Sequence, residues 1–172
     1  HILDSLGKNR EIEYICNLHE QAAAIAAEAY GQYTNNLGVA IVTTGPGGTN
    51  AVTGVAAAWI DSTPCLIISG QVKRADMIGN KGLRQMGPQE ADIISIVKPV
   101  TKYAVTVLDP TRIYYCLEEA VYYAKSGRPG PVWVDIPLDV QVSMVDESQL
   151  ATFTPPRDPR LETELCRLKT KV

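Results

Sequence analysis

Between Gly38 and Gly70 the chain reads GVAIVTTGPGGTNAVTGVAAAWIDSTPCLIISG, two apolar runs either side of a stretch rich in alanine and glycine. GVAIVTT is a continuous β-branched run with no polar alternation, the pattern of a strand buried on both faces of a parallel sheet. PCLIISG repeats it. Between them GPGG breaks the chain, and TNAVTGVAAAWID reads as a helix that packs closely through small residues. A strand, a helix and a second buried strand make a right-handed crossover unit, which commits the chain to an open α/β sheet.

The rest of the chain continues the alternation. IEYIC (Ile12–Cys16) predicts a short strand, and HEQAAAIAAEAYGQY after it predicts a helix, being alanine-rich with spaced apolar residues. The polar, glycine-containing stretch QVKRADMIGNKGLRQMG has no period. PQEADIISIV then predicts a short helix and TKYAVTVL an alternating strand. DPTRIYYCLEEAVYYAKSG opens on Asp-Pro and closes on Gly127, the asymmetry expected of a helix. PVWVDIP is the last predicted strand. From about Ser148 the chain becomes proline-rich and reads as an exposed linker. The expected fold is therefore α/β, an open, mainly parallel sheet with helices on both faces.

Composition narrows the function classes. The 172 residues carry a net charge of -3 and are 45% hydrophobic, enough for one domain with a proper core. Mild acidity gives no electrostatic reason to expect nucleic acid or an anionic membrane as partner. No apolar run reaches the roughly 20 residues of a membrane span, and HILDSLGKNR lacks a signal peptide's layout, so the cytoplasm is the expected compartment. Cys16, Cys65, Cys116 and Cys166 are widely separated and form no ligand cluster with His1 or His19, so no metal ligands are expected here. Cys16 and Cys65, in apolar strand-like runs, are read as small core residues. The start at His1 and the helix-like end RLETELCRLKTKV carry the expectation of a piece of a larger protein.

In open α/β sheets ligands gather where strands end. Three segments fall there: His19-Glu20, Gly45 to Asn50, and the Gln71 to Gln89 loop. Glu20 has a plain reading as a helix N-terminal carboxylate, but its place among these segments makes it a candidate functional acid. TTGPGGTN lacks the lysine of a P-loop, Asn50 stands where the last glycine of GxGxxG would be, and Pro46 removes an N–H. It reads as a phosphate loop, as a tight turn before a packed helix, or as a place where glycines let backbone approach a flat ring. Ser69 has no nucleophile-elbow sequence. Glu118-Glu119 reads as a solvated helix face, and Tyr114, Tyr115, Tyr122 and Tyr123 as packing.

Taken in order, HEQAA, GPGGTN, PCLIISGQV, QEADI, KPVTKY and SGRPGPVWVDIPLDVQ resemble the pyrimidine-binding domain of thiamine-diphosphate-dependent enzymes, most of all the acetolactate (acetohydroxyacid) synthase large subunit. The resemblance runs from roughly Ile2 to Val142. It implies a domain over residues 1–147, lacking a preceding strand and helix, with 148–172 a linker and the start of a central domain. It implies that Glu20 is the catalytic glutamate, hydrogen-bonding N1′ of the cofactor's aminopyrimidine so that N4′ can take the C2 proton. Such a carboxyl works best with a raised pKa in a partly desolvated pocket.

The same resemblance makes Gly45, Pro46 and Asn50 cofactor-binding, Gln89 a residue of the substrate side, Lys98 a basic position of the family and Arg128 a contact to FAD. It implies thiamine diphosphate as cofactor, Mg2+ held by an absent diphosphate-binding domain, and FAD as a possible third group. The partners implied are a 2-keto acid and a second protomer, in a homodimer or homotetramer with the active site between subunits. The activity implied is decarboxylation of pyruvate or a related acid and transfer of the two-carbon unit. Pro88 stands where an aromatic is usual and the loop before it is longer. A simple decarboxylase or oxidase is the alternative, and a non-catalytic nucleotide-binding or interaction module the second.

Overall fold

The computed structural model describes residues 1–156. Its order is α1 (Ile2–Lys8), α2 (Glu20–Thr34), β1 (Gly38–Val42), α3 (Pro46–Asp61), β2 (Cys65–Gln71), α4 (Ile93–Val97), β3 (Tyr103–Thr106), α5 (Ile113–Lys125), β4 (Pro131–Pro137) and α6 (Leu138–Gln141), with short 3-10 turns between. The four strands form one sheet in the order β1-β2-β4-β3. Every neighbouring pair is parallel, with Ala40 opposite Ile67, Ile67 opposite Trp133, and Ala104 opposite Trp133. This is the open α/β architecture expected.

The sheet is covered on both faces because its residues alternate between two cores. Ala40, Val42, Cys65, Ile67 and Trp133 meet α2, α3 and α4 through Ala24, Ala27, Ala51, Val55, Ala58, Ile93 and Val97. Leu66, Val132, Val134 and Ile136 meet α5 through Cys116, Ala120 and Ala124. That double burial explains the unbroken apolar runs in β2 and β4, whose faces both lie against helices.

Small residues set the spacing of α2 and α3. A Cβ on Gly54 would stand 2.7 Å from the Ala24 Cβ and 2.8 Å from the Ala24 carbonyl carbon, so the two helices cross nearly backbone to backbone. Close crossing brings the first turn of α2 over the first turn of α3. That is where the site forms.

Two readings near the start of the chain are corrected. IEYIC is not a strand: its residues stand outside the sheet, with Ile15 89% exposed. β-propensity is realised through pairing and packing against neighbours, and this segment has no ladder partner among the described residues. Cys16 is consequently exposed rather than a core residue, whereas Cys65 is buried. ILDSLGK, to which the sequence reading assigned no element, forms α1, with Lys8 paired to Asp4 at 2.8 Å.

The linker and the Glu118-Glu119 face also differ from expectation. Phe153 packs on Tyr115, Tyr122 and Tyr123 of α5, and its N–H donates to Glu118 at 2.8 Å. The first residues past Ser148 are therefore seated on α5, and Glu118 is half-buried as an acceptor rather than solvated. The expected start of a central domain, and Cys166, lie outside the described residues.

Candidate functional site

Glu20 is the first residue of α2, and the helix N-cap before it, His19, makes no side-chain cap bond. The Glu20 carboxylate instead turns to α3, where the Asn50 amide donates to Oε2 at 2.9 Å. The same Asn50 nitrogen lies 3.1 Å from His19 Nε2 and can donate there while that ring nitrogen is unprotonated. Oε1 lies 3.3 Å from the point a Cβ on Gly47 would occupy. Gly47 is buried, and a Cβ there would also fall 2.5 Å from Thr43 Cγ2, so the absence of a side chain at 47 lets one carboxylate oxygen pack close to the turn while Asn50 engages the other.

The turn that carries these groups depends on glycine. Gly45 has φ 60 and ψ -120, a conformation essentially closed to L side chains. A Cβ there would fall 1.8 Å from the Gln89 carbonyl oxygen, so this turn and the Gln89 loop touch backbone to backbone. Gln89 itself is exposed and adopts a positive φ of 58. Pro46 occupies the first turn of α3, where its missing N–H has no helical partner to lose. The Glu90 carboxylate collects the N–H groups of Ile78, Met86 and Gly87, which gives the long loop after β2 its internal order.

The electrostatics of Glu20 differ from the expected raised pKa. The Asn50 hydrogen bond, and behind it the residue's own N–H at the helix start and the nearby His19, hold the carboxyl below its ordinary value against a smaller opposing effect of burial. With the side chain only half-covered in this chain, donors win over desolvation. The raised acid lies deeper. Asp135 in β4 is fully buried, and burial pushes its carboxyl from 3.8 to about 6, opposed by hydrogen bonds from Ser69, Gln71 and Thr106.

The structure thus gathers Glu20, Gly45, Pro46, Asn50 and Gln89 at the end of the sheet where strands terminate. It does not bring Arg128 to them. Arg128 precedes β4, at the end where strands begin, and donates through Nε to Ser62 Oγ at 2.6 Å. Lys98 is exposed at the start of the 3-10 turn after α4. Among the described residues no three His, Cys, Asp or Glu side chains converge on a point that could hold a metal.

A family model for "Thiamine pyrophosphate enzyme, N-terminal TPP binding domain" matches residues 1–96. The chain belongs to this family. Within it, the chain is 46% identical over 133 residues to the acetolactate synthase large subunit of Cyanidium caldarium, covering 77% of this chain and 22% of that protein. The Lactococcus lactis large subunit is 40% identical over 146 residues, 85% of this chain and 24% of the relative. The mitochondrial acetolactate synthase of Schizosaccharomyces pombe is 42% identical over 146 residues, 85% and 21%. The chain spans about a fifth to a quarter of the length of these curated relatives.

As a thiamine pyrophosphate-binding domain, the chain has polar groups near the site that sequence reading did not connect. Thr44, Ser69, Gln71 and Asp135 form a buried network just behind the glycine turn. Their signal was present: single polar residues near the ends of otherwise apolar, doubly buried strands, where an unpaired polar group is costly.

Proposed function

We propose that this domain holds the aminopyrimidine of thiamine diphosphate in an acetolactate-synthase-like enzyme, with Glu20 as its catalytic carboxylate. The observation that carries the reading is the pairing of Glu20 with Asn50 beside Gly47, which engages Oε2 and sets Oε1 close to the glycine turn. A flat heteroaromatic ring with nitrogen at its edge fits such a floor. When bound, the cofactor supplies a carbon nucleophile able to add to a 2-keto acid.

The chain's own residues do the rest. Glu20 would hold a proton on its carboxylate for exchange with a nitrogen of the ring. Asn50 fixes the Glu20 rotamer, and Gly45, Pro46 and Gly47, in the turn beside it, would hold the ring. Covering the site with a second protomer would remove water from Glu20 and move its pKa upward, toward the range useful for proton exchange. The substrate proposed is pyruvate or a related 2-keto acid, with Gln89 on its side of the pocket, and the assembly proposed is a homodimer or homotetramer.

The residues fit the other cofactors less well. The described residues do not build a magnesium site, so Mg2+ is proposed only for a region outside this chain. Arg128 alone, exposed and bonded to Ser62, does not build a flavin site, and FAD enters only as a possible contact of that side chain. No helix among the described residues is long and apolar enough to cross a membrane. The free thiols of Cys16, Cys65 and Cys116 support the cytoplasm as the proposed compartment.

Glu20→Gln in the intact enzyme tests the reading. Turnover with pyruvate, thiamine diphosphate and Mg2+ should fall by about 10²–10⁴-fold, the span of lost general acid–base catalysis, with the melting temperature unchanged. Near-normal turnover with a stability loss of about 1 kcal/mol or less would return Glu20 to a helix-terminal role. Product analysis, with and without added FAD, separates acetolactate formation from simple decarboxylation or oxidation.

A further inference from the structure

The end of β2 carries a buried amide whose bonds reach both loops of the site. Gln71 is 6% exposed. Its Oε1 accepts from Thr44 Oγ1 at 3.1 Å and from the Val72 N–H at 2.9 Å. Its Nε2 donates to the Ala91 carbonyl at 3.1 Å and to Asp135 Oδ2 at 3.1 Å. An amide offers two donors and two acceptor sites, and here all four are used. The orientation is fixed chemically from both ends, since the Val72 N–H can only donate and the Ala91 carbonyl can only accept.

The amide rests on a rigid base. Asp135 also accepts from Ser69 Oγ at 2.5 Å and Thr106 Oγ1 at 3.2 Å, and Ser69 accepts from Trp133 Nε1 at 2.8 Å. Trp133, Ser69 and Asp135 are almost completely buried. A fully satisfied buried network of this kind admits few alternative arrangements.

The free arms are the informative part. Thr44 immediately precedes Gly45, and Ala91 follows Gln89 by two residues. Gly45 and Gln89 already touch, as the 1.8 Å approach of a Gly45 Cβ to the Gln89 carbonyl shows. We propose that Gln71 is a positioning residue that sets the height of the GPGG turn relative to the Gln89 loop, and so the gap into which cofactor and substrate must fit. This rests on the reading that those two loops form the pocket.

The test uses the intact, cofactor-free protein, Gln71→Met and Thr44→Val, and hydrogen exchange resolved by peptide. Met keeps the length of Gln71 without its hydrogen bonds, and Val at 44 cuts one arm. Gln71→Met should speed exchange about tenfold in both the Thr44–Asn50 and the Gln89–Asp92 segments, the scale set by losing one or two net hydrogen bonds, and leave α5 unchanged. Thr44→Val should speed it in the first segment only. Isothermal titration with thiamine diphosphate should show Kd rising about tenfold in Gln71→Met, by the same reckoning.

Uniformly faster exchange across the domain, or no change in either loop, overturns the brace. Should Gln71→Met fail to fold, Thr44→Val decides: selective loosening of the Thr44–Asn50 segment supports the brace, and unaltered exchange there overturns it. Loops that loosen while the parent protein shows no thiamine diphosphate binding would leave the brace standing and sink the pocket. Loops that stay closed while the parent binds tightly would do the reverse.

Discussion

Glu20 and Asp135 are both carboxylates on the side of the sheet where strands end, and their surroundings act on them in opposite directions. Glu20 is half-covered and held below its ordinary pKa by Asn50. Asp135 is sealed in and pushed up to about 6. A search for the most perturbed acid would choose Asp135. Yet both Asp135 oxygens are occupied by Ser69, Gln71 and Thr106, whereas Asn50 engages Glu20 through Oε2, with Oε1 beside Gly47. Perturbation alone does not identify a reacting group; an oxygen that something else can reach is needed as well.

The largest effect expected is at Glu20. Glu20→Gln should lower turnover by about 10²–10⁴-fold with little change in unfolding, and a parallel loss of stability would erase the contrast with Asp135. The second is at Asp135, where the readout is stability against pH. A carboxyl raised in the folded state favours folding at low pH, and that contribution is lost as pH rises from about 4 through about 6. From 3.8 to about 6, at about 1.4 kcal/mol per pH unit, the span is about 3 kcal/mol. Asp135→Asn should remove this slope: measured by thermal unfolding, the parent should lose ground to the variant between about pH 4 and 6 and hold level above. A difference that stays flat across that window would mean that Asp135 is not a raised acid.

Much of this was legible in the sequence, for reasons that also mark its limits. CLIISGQ announced itself because burial on both faces leaves no room for polar alternation; GVAIV was expected to be buried on both faces too, but as the edge strand it leaves Val39 51% exposed. The HEQAA and GPGGTN segments carried their own geometry, since a glycine at φ 60 and a carboxylate at a helix start are local devices. What failed was non-local. IEYIC has the composition of a strand but no partner in the sheet, and no property of five residues could reveal that. The Gln71 network was missed because its bonded members lie far apart in sequence, Ser69 and Asp135 by 66 residues. They meet only through the β2–β4 pairing, in which those two residues are directly opposite. Arg128, expected as a contact to FAD, lies before β4 at the other end of the strands from Glu20.

A third, smaller effect is expected at Gly45, which sharpens the comparison from the exposed side. Gly45→Ala meets both a forbidden backbone region and the Gln89 carbonyl at 1.8 Å. The cost should be about 1–3 kcal/mol, taken as a displaced turn rather than as global unfolding, because the contact is between two loops rather than two sheet strands. Thiamine diphosphate titration should show weakened binding with the pH dependence of stability, which belongs to Asp135, left intact. Unaltered affinity would mean that the height of this turn does not limit the pocket.

The smallest effect is expected at the opposite end. Arg128 donates to Ser62 Oγ, and Ser62 is the αL cap of α3, with φ 60 and ψ 38. The bond ties the end of α3 to the segment entering β4, both remote in topology from Glu20. An exposed side chain in such a tie contributes about 1 kcal/mol or less, so Arg128→Ala should shift unfolding only slightly and leave thiamine diphosphate affinity at the parent value. Its information lies in the flavin. If Arg128 contacts FAD in the assembled enzyme, the variant should lose bound flavin, read from its visible absorbance after gel filtration, while thiamine diphosphate binding is unchanged. Flavin retained at the parent level would leave Arg128 as a structural tie alone, and lost thiamine diphosphate affinity would contradict the separation of the two ends on which the placement of the site depends.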